Sequence, residues 1–148
     1  MFVYEKMNDE NVSGIAELEK ANFTDGWSLD SLKEEIDNPN ALYLAVKDDT
    51  SKEIIACAGL MISFDTADVM NVSVKEDYRR KNIAFNLLNK LFDEGRKIGV
   101  KDFTLEVRAG NNPARKLYEK LGFVLEGMRP GFYSNPKEDA AIYWLKNN

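Results

Sequence analysis

The change of hydrophobic period at Ile83 most constrains what this chain can fold into. Before it, apolar residues come in short runs, Ala41–Lys47, Glu53–Phe64 and Val69–Val74, as strands would. Asp48–Lys52 makes a hairpin-like turn between the first two. From Ile83 the spacing lengthens: Ile83, Ala84, Leu87, Leu88, Leu91, Phe92 and Ile98 recur at helical intervals with polar residues between them. Gly99 ends that helix. Phe103, Leu105 and Val107 then alternate with Thr104, Glu106 and Arg108, which is again a strand. Ala114, Leu117, Tyr118 and Leu121 mark a second helix closed by Gly122, followed by strands at Phe123–Gly127 and Ala140–Leu145.

The N-terminal part adds a strand at Phe2–Met7 and a helix carrying Val12, Ile15, Ala16 and Leu18 behind an Asn8 cap. A turn is expected at Phe23–Trp27. Ser28 then caps a short helix with Leu29, Leu32 and Ile36, stopped by Asn38-Pro39-Asn40. Strands interleaved with helices predict an α/β or α+β sandwich, a mixed sheet with helices packed on it.

The 148 residues contain no linker-like tract or repeat, so one domain spanning 1–148 is expected. No apolar run is long enough to span a bilayer, and Met1–Met7 does not read as a secretory signal. The lone Cys57 sits in an apolar run as a small hydrophobe. These features predict a cytoplasmic protein without a membrane partner. The net charge of -5 argues against general nucleic-acid binding. The chain has no histidine, which removes Ser/His and Cys/His nucleophilic catalysis and the commonest metal ligand. Acid–base chemistry must therefore come from Asp, Glu, Tyr, Lys or Cys57, and no metal is expected.

Arg79-Arg80-Lys81 stands between a strand and the start of the long helix. A helix N-terminus already carries partial positive charge, so cations there are disfavoured unless a polyanion accompanies them. The same cluster also reads as a solvated run paired with Glu76 and Asp77. Neither GxxxxGK[ST] nor GxGxxG occurs here, which excludes the common nucleotide folds.

Glu106 lies in a segment expected inside the sheet, where burial would raise its pKa toward that of a general base. Equally, it reads as a solvated glutamate paired with Arg108. Tyr118 falls on an apolar helix stripe, where an aromatic ring can simply fill the core. Asn111 reads as an N-cap ahead of Pro113.

In order and spacing, these segments resemble the GNAT acetyltransferase superfamily. Tyr78 through Leu88 is similar to its pyrophosphate loop and following helix. Leu105-Glu106-Val107-Arg108-Ala109-Gly110-Asn111, with Ala114, Leu117-Tyr118-Glu119-Lys120 and Leu121-Gly122-Phe123, resembles the branch that acetylates alanine N-termini of ribosomal proteins. Gly127, Arg129, Tyr133, Glu138-Asp139-Ala140 and Trp27-Ser28 extend that likeness.

The resemblance implies a mostly antiparallel sheet of about seven strands flanked by about four helices. It implies acetyl-CoA as co-substrate, Glu106 as general base and Tyr118 as the acid that protonates the leaving thiolate. Arg79, Arg80, Lys81, Asn82, Ile83, Ala84 and Phe85 match the segment that binds pyrophosphate. Val72, Ser73 and Val74 match the strand that pairs with the pantetheine arm, and Asn111 matches a cofactor-contacting asparagine. Trp27, Arg129 and Tyr133 would lie near the acceptor, expected to be a protein or peptide N-terminus.

Asn82 departs from the family's usual glycine, although asparagine is the residue that best tolerates left-handed backbone after glycine. The residues leave other acceptors open, a small-molecule amine or a lysine side chain, and also a non-catalytic coenzyme A-binding module. They say nothing of the oligomeric state.

Overall fold

A computed structural model describes residues 1–22, 27–79 and 81–146. The elements are β1 (Phe2–Lys6), α1 (Val12–Asn22), α2 (Leu29–Ile36), β2 (Ala41–Asp48), β3 (Ile54–Ser63), β4 (Thr66–Val74), a single 3-10 turn (Glu76–Tyr78), α3 (Ile83–Lys97), β5 (Asp102–Arg108), α4 (Asn112–Lys120), β6 (Val124–Tyr133) and β7 (Glu138–Leu145). The strands form one seven-stranded sheet in the order β1-β2-β3-β4-β5-β7-β6. Every pairing is antiparallel except β4 with β5.

The expected terminators act as chain chemistry requires. Ser28 Oγ accepts from Ser31 N at 3.2 Å, which starts α2. Gly99 (φ 105) and Gly122 (φ 101) take the left-handed backbone that ends α3 and α4. The predicted turn at Phe23–Trp27 falls, save for Trp27, outside the described residues.

Alternation along β2 divides the core into two layers. Leu42, Leu44 and Val46 face α3 and α4, joining Leu87, Leu88, Leu91, Phe92 and Phe103. Tyr43 and Ala45 face α1 and α2, joining Ile15, Leu18, Leu32 and Cys57. Each fully buried Leu, Ile or Phe contributes about 1.5–3 kcal/mol, so these two clusters clamp the sheet from both sides. On the second face, α1 packs over β3 and β4 while α2 packs over β2.

β6 runs well past the expected Gly127, to Tyr133. Pro130 and Gly131, just beyond Gly127, are residue types that favour turns. A proline is tolerated in this strand because β6 is an edge, where one row of N–H groups has no ladder partner.

Candidate active site

The sheet parts at its one parallel pair. β4 and β5 are joined only at Thr66↔Asp102, Ala67↔Phe103 and Asp68↔Thr104. Beyond Asp68, β4 keeps its pairing to β3, and beyond Thr104, β5 keeps its pairing to β7. A bulge, where the register slips between Cys57 and Gly59, sets Ala58 opposite Asn71 and Val72 and turns β4 away. Among the described residues, the facing edges of 69–74 and 105–108 carry main-chain groups without ladder partners. Such an edge in mid-sheet is a template for an extended ligand.

Val72, Ser73 and Val74 line the β4 side, with Ser73 buried. Asn22 of α1 donates to Ser73 Oγ and, at 3.1 Å, to the Val74 carbonyl. Arg79 donates to the same carbonyl at 3.0 Å and to Asn22 Oδ1 at 3.2 Å. Arg79 therefore fastens the loop to the end of β4, whatever else its exposed guanidinium meets. Arg80 lies outside the described residues. Tyr78 hydrogen-bonds Asp48 Oδ2 at 2.7 Å, and Lys81 lies 5.9 Å from the Tyr78 ring centroid.

Asn82 adopts φ 59, ψ 18, the left-handed backbone expected of a glycine substitute, and its side chain makes no capping bond. The first N–H groups of Ile83, Ala84 and Phe85 have no intrahelical acceptor, as at any helix start. A left-handed N-cap, uncapped amides and adjacent cations form a turn suited to phosphate oxygens.

On the other side of the parting, β5 alternates. Phe103, Leu105 and Val107 are buried toward α3 and α4, while Glu106 points to the opposite face. The expectation of a buried Glu106 is corrected here: its side chain is 39% exposed. Among the described residues α1 packs chiefly on β3 and β4 and α2 on β2, which leaves the Glu106 side chain partly open to solvent. Glu106 Oε1 faces Arg129 Nη1 at 4.0 Å. Tyr133 stands close enough to Glu106 for the carboxylate's charge to raise the phenol's pKa, second to burial.

Tyr118 is buried on α4, its ring 6.0 Å from Phe123 and 6.4 Å from Tyr143. Burial pushes its phenol up to about 12, with Tyr133 adding to the shift. Tyr133 thus lies within electrostatic reach of both Glu106 and Tyr118. Asn111 caps α4 as expected, accepting from Ala114 N at 3.3 Å. Phe85 of α3 meets Lys120 of α4, Nζ 4.5 Å from the ring centroid.

Glu106, Arg129, Tyr133 and, through Tyr133, Tyr118 are brought together. Trp27 packs elsewhere, on Tyr43 in the α1–α2 cluster with ring centroids 6.2 Å apart. Two further residues serve this region. Arg108 and Glu138 tie the turn after β6 to β5, with Arg108 Nη1 and Glu138 Oε1 3.3 Å apart. Arg108 reads in sequence only as a partner for Glu106. The signal that could have found it is its place two residues along the same strand face.

A groove of about 710 Å³ lies between α1 and Lys47, Lys52 and Ile54, away from these residues. Among the described residues, no cluster of His, Cys, Asp or Glu suits a metal ion, and no helix is long and apolar enough to cross a membrane.

A sandwich whose sheet parts at its parallel pair, beside an anion-suited helix start and a carboxylate, defines a group-transfer enzyme of the acetyltransferase class. The chain belongs to the acetyltransferase (GNAT) family, whose sequence model matches residues 12–123. It is similar to a Bacillus subtilis (strain 168) protein provisionally assigned as a ribosomal protein bS18-alanine N-acetyltransferase. The two are 32% identical over 143 residues, 96% of this chain and 93% of the relative. The crystal structure of the ribosomal-protein-S18-alanine N-acetyltransferase from Escherichia coli superposes with a TM-score of 0.88 at 28% identity, covering 100% of this chain and 95% of the other. Arabidopsis thaliana NAA60 in complex with acetyl-CoA shares the fold, with a TM-score of 0.86 at 19% identity, covering 99% and 98%.

Proposed function

We propose that the chain transfers an acetyl group from acetyl-CoA to the α-amine of a protein N-terminus. The leading candidate for the acceptor is a ribosomal protein that begins with alanine. The observation that carries this reading is the grouping of Glu106, Arg129 and Tyr133 beside the parting of β4 and β5. The names of the Bacillus and Escherichia relatives support the acceptor. The 148 residues act as one catalytic domain in the cytoplasm.

Acetyl-CoA supplies the activated acetyl thioester. Val72, Ser73 and Val74 offer main-chain groups to its extended arm. The amides of Ile83, Ala84 and Phe85, with Arg79, Arg80, Lys81 and the Asn82 turn, hold its phosphates, and Asn111 contacts it from α4. Glu106 takes a proton from the amine, directly or through water, and the nitrogen attacks the carbonyl. A main-chain N–H near Val74 steadies the oxyanion. Tyr118, which keeps its proton across the working pH range, presents it to the departing thiolate. Holding both substrates in one site supplies much of the rate.

Arg129 and Tyr133 line the acceptor side. An α-amine titrates at roughly 7.7–8.0 against about 10.4 for lysine, so a glutamate deprotonates it far more easily at neutral pH. The test is a competition read by mass spectrometry. It sets Ala-starting peptides against the same peptides with blocked N-termini and an internal lysine, and against spermidine. Preferential acetylation of the free α-amine is expected, and preference for lysine or spermidine would refute the acceptor.

A further inference from the structure

Glu106 and Arg108 project from the same face of β5, because side chains alternate along a strand. Arg108 reaches past the carboxylate to the turn between β6 and β7. Its Nη1 donates to the Pro136 carbonyl at 2.9 Å and to Glu138 Oε1 at 3.3 Å, and its Nη2 donates to the Ser134 carbonyl at 3.2 Å. The guanidinium also lies over the Tyr133 ring, 4.5 Å from the centroid. Glu138 closes the set: its second oxygen accepts from Gly110 N at 2.7 Å. A Cβ at Gly110 would come within 2.7 Å of that oxygen, so any side chain there would have to displace the Glu138 carboxylate.

Arginine suits this position because one planar fork satisfies two carbonyls and a carboxylate while stacking on a ring. Lysine, a point charge on a flexible stem, cannot do all of this. The β6–β7 register shifts between Arg129 and Tyr133 and resumes at Tyr133↔Glu138, so the clamp acts next to the irregular part of the ladder.

We propose that Arg108 is a positioning residue for the acceptor. By clamping the β6–β7 turn to β5, it holds Tyr133 beside Glu106 and so sets the wall against which the amine is placed. Glu138 binds Arg108 and the turn at Gly110 into one unit. This inference rests on the acceptor site proposed above. Most residues assigned to the donor lie across the parting, on β4 and at the start of α3, and Asn111, beside Gly110, is held by its own bond from Ala114 N rather than by the Arg108 side chain. Loss of the clamp therefore falls on the acceptor and spares the donor, whereas a purely structural role would weaken both.

The test compares wild type with Arg108→Lys in steady-state kinetics with acetyl-CoA and an alanine-starting peptide, and in hydrogen exchange of the free proteins. The expected result is an acceptor KM raised about tenfold or more, as for the loss of a charge-assisted hydrogen bond, with kcat and the acetyl-CoA KM within about twofold. Faster exchange should be confined to residues 131–138. An unchanged acceptor KM, or an equal change in both KM values, overturns the inference. The exchange measurement does not depend on the acceptor's identity. A wild type that ignores the peptide refutes the acceptor reading, while unaltered exchange at 131–138 refutes the clamp.

Discussion

Glu106 and Arg129 meet across a strand that separates them. Glu106 belongs to β5 and Arg129 to β6, with β7 lying between, yet Arg129 Nη1 stands 4.0 Å from Glu106 Oε1. The proposed base is thus faced by a cation carried on the β6–β7 hairpin, and a cationic amine approaching Glu106 has to compete with it. Both groups are partly solvated, so the pair contributes little to stability. Its consequence is for access to the base.

Glu106→Gln should lower kcat by on the order of 10²–10⁴-fold, the size of a general-base effect, while leaving coenzyme A affinity near wild type. Tyr118→Phe removes only the hydroxyl and should lower kcat with the helix still packed. Stopped assays with both substrates saturating, together with calorimetry of coenzyme A binding, check both variants. Wild-type turnover by the pair would return Glu106 to a solvated ion pair and Tyr118 to core packing.

Alkaline pH should destabilise the fold through Tyr118. Burial favours the neutral phenol, so the folded value, about 12, lies above the ordinary 10.0. With the folded value above the unfolded one, the contribution is complete below about pH 10 and is lost as pH rises through about 12. Buried Tyr43 and Cys57 are shifted in the same direction. Denaturant melts at about pH 8 and about pH 11 should show a smaller loss for Tyr118→Phe than for wild type. Equal losses would contradict this assignment.

Position 82 tests the left-handed turn. Asn82→Gly should leave stability unchanged or slightly higher and maintain or tighten coenzyme A binding, since glycine adopts φ 59 without penalty. Asn82→Val should cost about 1–2 kcal/mol and weaken binding, because a β-branched residue resists that backbone. Thermal melts with and without coenzyme A read both effects.

Tyr143 is fully buried, yet its hydroxyl accepts from Arg115 Nε at 2.9 Å and donates to Glu119 Oε2 at 2.7 Å. Arg115 also donates to the Ala109 carbonyl at 2.8 Å, so this network ties β7, α4 and the turn before it together. Tyr143→Phe should cost about 1–3 kcal/mol, the range for hydrogen bonds to charged groups. At this chain length each kcal/mol lowers Tm by roughly 2–4 °C. A melt within a degree of wild type would show the network to be replaceable by water.

The helix stripe from Ile83, the glycine stops and the Ser28 cap were legible because each is a local rule acting on adjacent residues. Asn82 was legible for the same reason: few residue types accept left-handed backbone. Glu106 was legible as a strand residue but not in its exposure, which depends on how far α1 and α2 extend over the sheet. The length of β6 was hidden because Pro130 and Gly131 carry turn chemistry that only an edge position overrides. Arg108 was hidden because its partners, Ser134, Pro136 and Glu138, lie well over twenty positions downstream in the sequence. The parting of β4 and β5 left no side-chain signal, since it is made of main chain.

That last property has an evolutionary consequence. A slot walled by peptide groups has few side chains to lose, so substitutions along residues 69–74 can drift while its hydrogen-bonding pattern persists. Acceptor recognition as proposed here, in contrast, rests on the side chains of Arg129 and Tyr133, both on the hairpin at one margin of the sheet. Changes in that hairpin can redirect the enzyme to a new amine without rebuilding the donor half. The same separation lets an engineer graft β6–β7 turns onto this framework as interchangeable parts, with Arg108 and Glu138 kept as the attachment point.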